Sequence, residues 1–496
     1  MGKHSNKEWL DLKKKISFHD KAFIGGKFCN SVSENTFECI NPSNGEMLTN
    51  VANCDDTDVE RAVNVSRSAF ESGKWSDLSP SERKNRLLKL SRLIMDNIDE
   101  FALLDSLDMG KPVEDCTAID VPGAAGILQW TAESIDKVLD EISPTEKRNL
   151  AIVKRVPLGV VGAVIPWNFP LDMAIWKCAP ALATGNSIIL KPAEQSPLSA
   201  LKLAELSIEA GIPDGVFNVL PGYGHITGKA IGMHNGIDCV AFTGSTEIGK
   251  KFLEYSSLSN MKQIWLECGG KSPNLIFNSC KNLKVAAEMA AQGAFFNQGE
   301  VCSANSRILV QKEILQEFTK LFVNASNNWL PGDPLNPNSK IGSLVSEEHA
   351  TKVRDFINNA KNDVELIHEG SQFNNSNVST FVPPTIFKDI NGKNKISKDE
   401  VFGPVASIIP FDSQEDAIKI ANDTVYGLAA SVWSDDLSEA HYVSDKVHAG
   451  TISVNAMDAL SPMTPFGGFK QSGFGKDLSI HSFDKYTGLK TVWIKY

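Results

Sequence analysis

The chain has 496 residues, more than one hydrophobic core usually serves, so two or more domains are expected. Hydrophobic residues at 42% and charged residues at 22% are those of a globular protein rather than a disordered one. Acidic residues number 60 against 49 basic ones, a net charge of −11 with no basic stripe, which argues against a nucleic-acid partner.

The segment 1–21 is charged and lacks an apolar centre, so it does not read as a secretory signal. From Glu60 to Asp105 apolar residues recur at helical spacing, and Ser79-Pro80 supplies an N-cap and a first-turn proline. Near residue 158 the rhythm changes. Strands are predicted at 160–165, 187–190, 216–219 and 238–242, with helices near 172–183, 200–210 and 227–231. Buried parallel strands joined by crossover helices look like this, and they build a doubly wound α/β sheet. A second series begins near Ser272, with strands at 274–277 and 306–310 and helices at 283–296 and 314–328, which reads as a second α/β domain. The run 486–496 favours β structure, and a strand so placed needs a partner edge, expected on another subunit. No fixed-period repeat is present. The longest strongly apolar run, 158–165, falls short of the about 20 residues that span a bilayer. Nine scattered cysteines without CxxC pairs argue for a reducing compartment and against a disulfide framework or zinc site. A cytoplasmic protein without a membrane partner is therefore expected.

Several segments carry candidate chemistry. Cys302 follows an Ala-rich helix within Asn297-Gln298-Gly299-Glu300-Val301-Cys302. Most free cysteines are small buried apolar residues, but this turn favours an accessible thiol. Glu267 lies between an apolar strand and Gly269-Gly270, where desolvation would raise a carboxyl toward the range of a general base. Pro166-Trp167-Asn168-Phe169-Pro170 follows a strand that ends at the ligand crevice, and Asn168 either holds that turn or offers an NH2 to an oxyanion. Phe242-Thr243-Gly244-Ser245 opens a helix, a position suited to phosphate, and Gly222, Gly224 and Gly228 form a looser glycine cluster. Neither is a strict dinucleotide fingerprint. Lys191 to Glu194 closes another strand, and an acid there can accept from a cofactor ribose while repelling a 2′-phosphate. Glu400 and Phe402 form either an ordinary turn or a further contact.

Taken together, the runs 166–170, 191–194, 242–246, 266–273, 296–302, 400–405 and 465–473 resemble the aldehyde dehydrogenase superfamily in order and spacing. The resemblance implies an α/β fold with a Rossmann-like cofactor domain (1–137 and 158–267), a catalytic domain (268–480) and a small β oligomerisation element (138–157 and 481–496). It also implies residue roles. Cys302 is the nucleophile, Glu267 the general base, Asn168 the oxyanion donor and Lys177 a lysine behind the site. NAD is expected along Ile165, Pro166, Trp167, Lys191, Glu194, Gly224, Gly228, Phe242, Gly244, Ser245, Glu400 and Phe402. The substrate tunnel is expected at Asp120, Phe169, Met173, Trp176, Phe296, Val301, Asp458, Leu460 and Phe466. A monovalent cation is expected near Ile40, Asp108 and Gln195, and the chain is expected as a homodimer or homotetramer.

Trp9, the run 120–137, the run 260–271 and the C-terminal 489–494 are most similar to bacterial γ-glutamyl-γ-aminobutyraldehyde dehydrogenases, which oxidise aminoaldehydes of polyamine breakdown. Asp120 and Asp458 are then either attractors of a cationic amine at the tunnel mouth or solvated surface acids. The loop 456–464 departs from the pattern of those enzymes. Competing readings are a broad-specificity or semialdehyde dehydrogenase, a CoA-acylating enzyme, which Glu267 disfavours, and a catalytically inactive structural relative.

Overall fold

Five strands built almost wholly of buried residues lie side by side and parallel: Gln263–Glu267, Cys239–Thr243, Val160–Val164, Ser187–Lys191 and Phe217–Val219. Three of them read VVGAV, SIILK and CVAFT with every position buried, the pattern of strands covered on both faces. Antiparallel strands extend this sheet at both ends. Ala22–Ile24 and Lys27–Cys29 join at one side, and Gly473–Phe474 returns from far along the chain to pair with Gln263–Glu267. The computed structural model describes residues 4–373 and 377–496, so positions 1–3 of the charged N-terminal stretch lie outside it.

The connecting helices carry the signals their sequences advertise. Ser79 accepts from the Glu82 N–H while the Glu82 side chain reaches back, a full capping box ahead of the helix Pro80–Asp96. The helix Pro170–Ala183 buries every residue except Asp172. The expected helix at 227–231 is longer, because a wide turn over Gly224–Gly228 leads into Lys229–Met233.

A second sheet of seven strands, in the order Glu365–Glu369, Thr385–Lys388, Val405–Phe411, Arg307–Gln311, Pro273–Ile276, Ala429–Trp433 and Thr451–Val454, is parallel except at its first pair. Only residues 268–272 separate it in the chain from the first sheet. A third sheet stands apart. Thr487–Lys495 pairs antiparallel with Asn149–Pro157 over nine positions, and Glu141–Ser143 adds an edge. Its outer residues Ile142, Leu489 and Trp493 are exposed. Among the described residues no helix is long and apolar enough to cross a membrane.

Candidate active site

The two large sheets turn their adjoining loops toward one cavity of about 560 Å³. The first sheet contributes Pro166, Trp167, Asn168, Gly244, Ser245 and Glu267, and the second contributes Val301, Cys302, Glu400, Phe402 and Asp458. Phe169, Met173, Trp176, Phe296, Leu460, Phe466 and Asp120 complete the wall. Residues scattered over nearly the whole sequence thus meet in one place, as a site built at the ends of parallel strands requires.

The Cys302 loop is set by three successive left-handed residues, Asn297 (φ 50°), Gln298 (φ 56°) and Gly299 (φ 71°). Asparagine tolerates this region and glycine is indifferent to it. A Cβ on Gly299 would stand 2.2 Å from the Gly403 carbonyl oxygen. The loop is then bolted down. Asn297 Nδ2 donates to the carbonyls of Asn168 and Glu300, the Gly342 N–H donates to Gln298 Oε1, and the Val345 N–H donates to Glu300 Oε1. Gly270 passes so close beneath that a Cβ would lie 2.4 Å from the Cys302 carbonyl oxygen. Cys302 itself stays half-buried at the cavity wall.

Asn168 Nδ2 donates to the Glu300 carbonyl at 2.8 Å. That bond occupies one of its two N–H groups and orients the amide beside the Cys302 loop. Glu267 ends its strand with only 4% of its surface exposed, and its Oε1 has no hydrogen-bond partner. Burial, reinforced by the nearby Asp477 charge, pushes its carboxyl up to about 8 against the pull of Lys177, Lys485 and Lys476. Burial and the charges of Glu267, Asp458 and Glu400 raise the Cys302 thiol well above its ordinary value, so it rests protonated. Lys177 does not reach the cavity. It forms a buried ion pair with Asp477, which also pairs with Lys485.

On the other side of the cavity the Glu400 carboxylate accepts from the Gly270 N–H at 2.9 Å, and a Cβ on Gly269 would collide with it at 2.1 Å. Burial lifts Glu400 to about 7. Phe402, at φ 56°, stands edge-on to Trp167 with ring centroids 5.3 Å apart. His349 completes this aromatic corner and approaches the Phe402 carbonyl at 2.7 Å. Ser245 caps the helix Thr246–Leu258, so that helix begins at the cavity wall. Farther along, Lys191 is buried and its Nζ meets Glu194 at 3.2 Å. Beside them Gly228 leaves space that only Lys191 Cδ approaches, and Gly224 has nothing within 4 Å of its missing Cβ. Ile165 and Phe242 are turned into the hydrophobic core, so neither side chain faces the cavity. Elsewhere, the residue before Ile40, Cys39, lies 4.0 Å from the Gln195 carbonyl, and Asp108 is buried with Oδ1 unpaired.

The two acids read as amine attractors or solvated charges differ from each other, since Asp458 is half-buried with Oδ1 unpaired while Asp120 is engaged. Asp120 is fully buried and pairs with Lys111 at 2.5 Å, because the turn after Gly110 brings that lysine inside. Asp458 accepts from Ser303 Oγ at 2.8 Å. Sequence reasoning passed over Lys111, Asp172, His349, Asp477 and Lys485. Asp172 reads as an ordinary first-turn helix acid, and Lys476-Asp477 as a surface charge pair.

The aldehyde dehydrogenase family model matches residues 28–492. The chain is 44% identical to the NADP/NAD-dependent aldehyde dehydrogenase PuuC of Escherichia coli, over 100% of this chain and 99% of that protein. It is 42% identical to the aminoacetaldehyde dehydrogenase of Pseudomonas aeruginosa, over 99% and 98%. Among solved structures it matches a γ-glutamyl-γ-aminobutyraldehyde dehydrogenase from Burkholderia cenocepacia with TM-score 0.98 and 44% identity, over 99% of this chain and 100% of that one. It matches the P. syringae indole-3-acetaldehyde dehydrogenase AldA, solved with NAD+ and IAA, with TM-score 0.98 and 47% identity, over 100% of both chains. With its cysteine, carboxylate and amide gathered at one cavity and its likeness extending over its whole length, the chain belongs to the aldehyde dehydrogenase family.

Proposed function

We propose that this enzyme oxidises an aldehyde carrying a terminal amino or γ-glutamylamino group to its carboxylic acid, with NAD as oxidant. The observation that carries the chemistry is the meeting of Cys302, Asn168 and Glu267 at one cavity wall, with Glu267 held near working pH by burial. The residues present fit the cofactor. The open space at Gly224 and Gly228 suits an approaching ligand, the helix end at Ser245 suits a pyrophosphate, and Lys191 with Glu194 suits a ribose diol. Glu400 and Phe402 would hold the opposite end. NAD, when bound there, would supply the hydride acceptor for the oxidation.

The chain's own residues do the rest. Cys302 gives up its proton to solvent water, and Sγ bonds to the carbonyl carbon as the C=O π pair moves onto oxygen. That oxyanion accepts from the free Asn168 N–H and from the Cys302 backbone N–H. Loss of two electrons and reformation of the C=O leave a thioester on Cys302. Glu267 takes a proton from water, whose oxygen adds to the thioester carbon, and Cys302 leaves as the acid forms. The carboxylate product requires this last step, which a CoA-acylating enzyme would not use.

The amine preference rests on the cavity wall, where acids lie among apolar and aromatic side chains, and on the relatives that act on aminoaldehydes. The aromatic lining of Phe169, Trp176, Phe296 and Phe466 supports a second reading, an arylacetaldehyde, as in the indole-3-acetaldehyde relative. NADH formation at 340 nm over 3-aminopropanal, γ-glutamyl-4-aminobutanal, indole-3-acetaldehyde, butanal and succinic semialdehyde separates these, with Cys302→Ala as control. The highest kcat/KM is expected with the amino or glutamylamino aldehydes. A higher value with indole-3-acetaldehyde would favour the second reading, and one with butanal or the semialdehyde would discard both.

The same reading places the enzyme in the cytoplasm, supported by its nine free cysteines. It makes the chain a homodimer or homotetramer through the third sheet, supported by the exposed Leu489 and Trp493. A monovalent cation near Ile40, Asp108 and Gln195 would meet the unpaired Asp108 Oδ1.

A further inference from the structure

One face of the helix Pro170–Ala183 looks into the cavity. Its wall residues are Phe169 at the N-cap, then Asp172, Met173 and Trp176, the i, i+3, i+4 and i+7 positions of a single stripe. Three of these four are apolar, and the fourth is a carboxylate. A charged group in such a stripe costs desolvation unless something compensates it. The other two carboxylates in this part of the wall each have a polar partner. Asp120 is cancelled by Lys111 at 2.5 Å, and that ammonium also lies 3.9 Å over the Phe169 ring. Asp458 is hydrogen-bonded by Ser303. Asp172 has no hydrogen bond or ion pair among the described residues, and its Oδ1 is buried without a partner. Across from it stands Gly123, whose missing Cβ would lie 3.6 Å from Oδ1, so no side chain from that helix covers the carboxylate.

We infer that Asp172 is the specificity-determining residue for the substrate's distal ammonium: among the described residues it is the acid of this stretch of the cavity wall that has neither a hydrogen bond nor an ion pair, and an ω-ammonium aldehyde supplies the missing partner. The Lys111–Asp120 pair is neutral as a unit, and a neutral pair gives an incoming cation little reason to displace its own lysine. The aromatic rings of Phe169, Trp176 and Phe296 then flank a methylene chain, and Trp176 has no cation over its ring among the described residues. Burial and the neighbouring Asp120 raise the Asp172 carboxyl well above the usual range, with Lys111 opposing, which is the state of an acid that lacks its counter-ion. A bound ammonium reverses that balance.

This inference rests on the amino-aldehyde reading above, and the experiment separates their failures. 3-Aminopropanal and butanal have the same heavy-atom length and differ in the terminal ammonium. In the wild type the ratio of their kcat/KM values should exceed about tenfold, the order of a charge–charge contact in a partly desolvated site. Asp172→Asn should bring that ratio to near one, acting mainly through KM for the amine and leaving butanal within about twofold. Asp172→Glu should restore part of the ratio. In the wild type, propylammonium should compete with butanal, and propanol at equal concentration should not. A ratio unchanged in Asp172→Asn, an equal loss for both aldehydes, or equal competition by propanol overturns the assignment. A wild-type ratio near one removes the amine substrate class itself, while butanal turnover still reports an active enzyme.

Discussion

Glu267 sits among charges that oppose each other: burial and Asp477 raise its carboxyl to about 8, and Lys177, Lys485 and Lys476 pull it down. Hydrolysis of the thioester needs the carboxylate, so its rate should climb as pH rises through about 8. Lys485→Met removes a cation that favours the charged form, so the same limb should move to higher pH, read from steady-state kcat profiles. Glu267→Gln should cut steady-state turnover by about 10²–10⁴-fold and keep a first-turnover burst of NADH, because only the second half-reaction loses its base. A burst lost with the steady rate would assign Glu267 to thiol activation as well. Cys302, Glu267 and Asn168 were legible in the sequence because each sits in a local motif with a turn or strand end that exposes it. Lys111, Asp172 and His349 were not, because their meaning lies in partners far away in the chain. The ion pair at Asp120 depends on a left-handed Gly110 turning Lys111 inward, and nothing around Asp120 announces that.

Secondary structure followed local pattern closely where the pattern was strong. The helix Leu283–Phe295 and the strands Val160–Val164 and Cys239–Thr243 lie within a residue or two of their expected bounds. The departures are nonlocal or conformational. The two-residue strand Gly473–Phe474 exists only because the Gln263–Glu267 edge accepts it, and no periodicity can mark so short a piece. The Phe296–Gly299 turn carries three left-handed residues that composition alone signals weakly. Asn297 is its keystone, since it suits the left-handed backbone and its amide ties Asn168 to Glu300. Asn297→Ala leaves the Asn168 carbonyl without its donor and the Glu300 carbonyl with Asn168 alone, so it should cost about 1–3 kcal/mol in denaturant unfolding. It should also lower kcat by more than that loss of stability explains, because the oxyanion amide and the nucleophile loop share this tie. Full activity in a destabilised Asn297→Ala would show that the loop keeps its geometry without it.

At the scale of the whole molecule, the two alternating α/β series became two large sheets, and the run 486–496 did find a partner edge. That edge belongs to the same chain: Thr487–Lys495 pairs with Asn149–Pro157. The expectation of a partner strand on another subunit therefore shifts to the exposed face and free margin of this three-stranded sheet, where Leu489 and Trp493 are 66% and 62% exposed. Trp493→Glu should lower the assembly state in sedimentation velocity while leaving the monomer's fold intact by circular dichroism. An unchanged sedimentation coefficient would move the interface elsewhere. The five residues 268–272 between the sheets carry one more consequence. Gly270 is fastened to Glu400, and the Lys271 carbonyl accepts from Arg307, so the crossing is stitched into the second sheet. Glu267 stands at one end of that crossing, and Cys302 touches Gly270 within it. If the sheets rock about this crossing, the pivot falls beside the chemistry, and the nucleophile and the base move least relative to one another. Cofactor can then enter and leave while the reacting groups stay aligned, and spin labels across the far cleft should report larger distance changes than labels near the crossing.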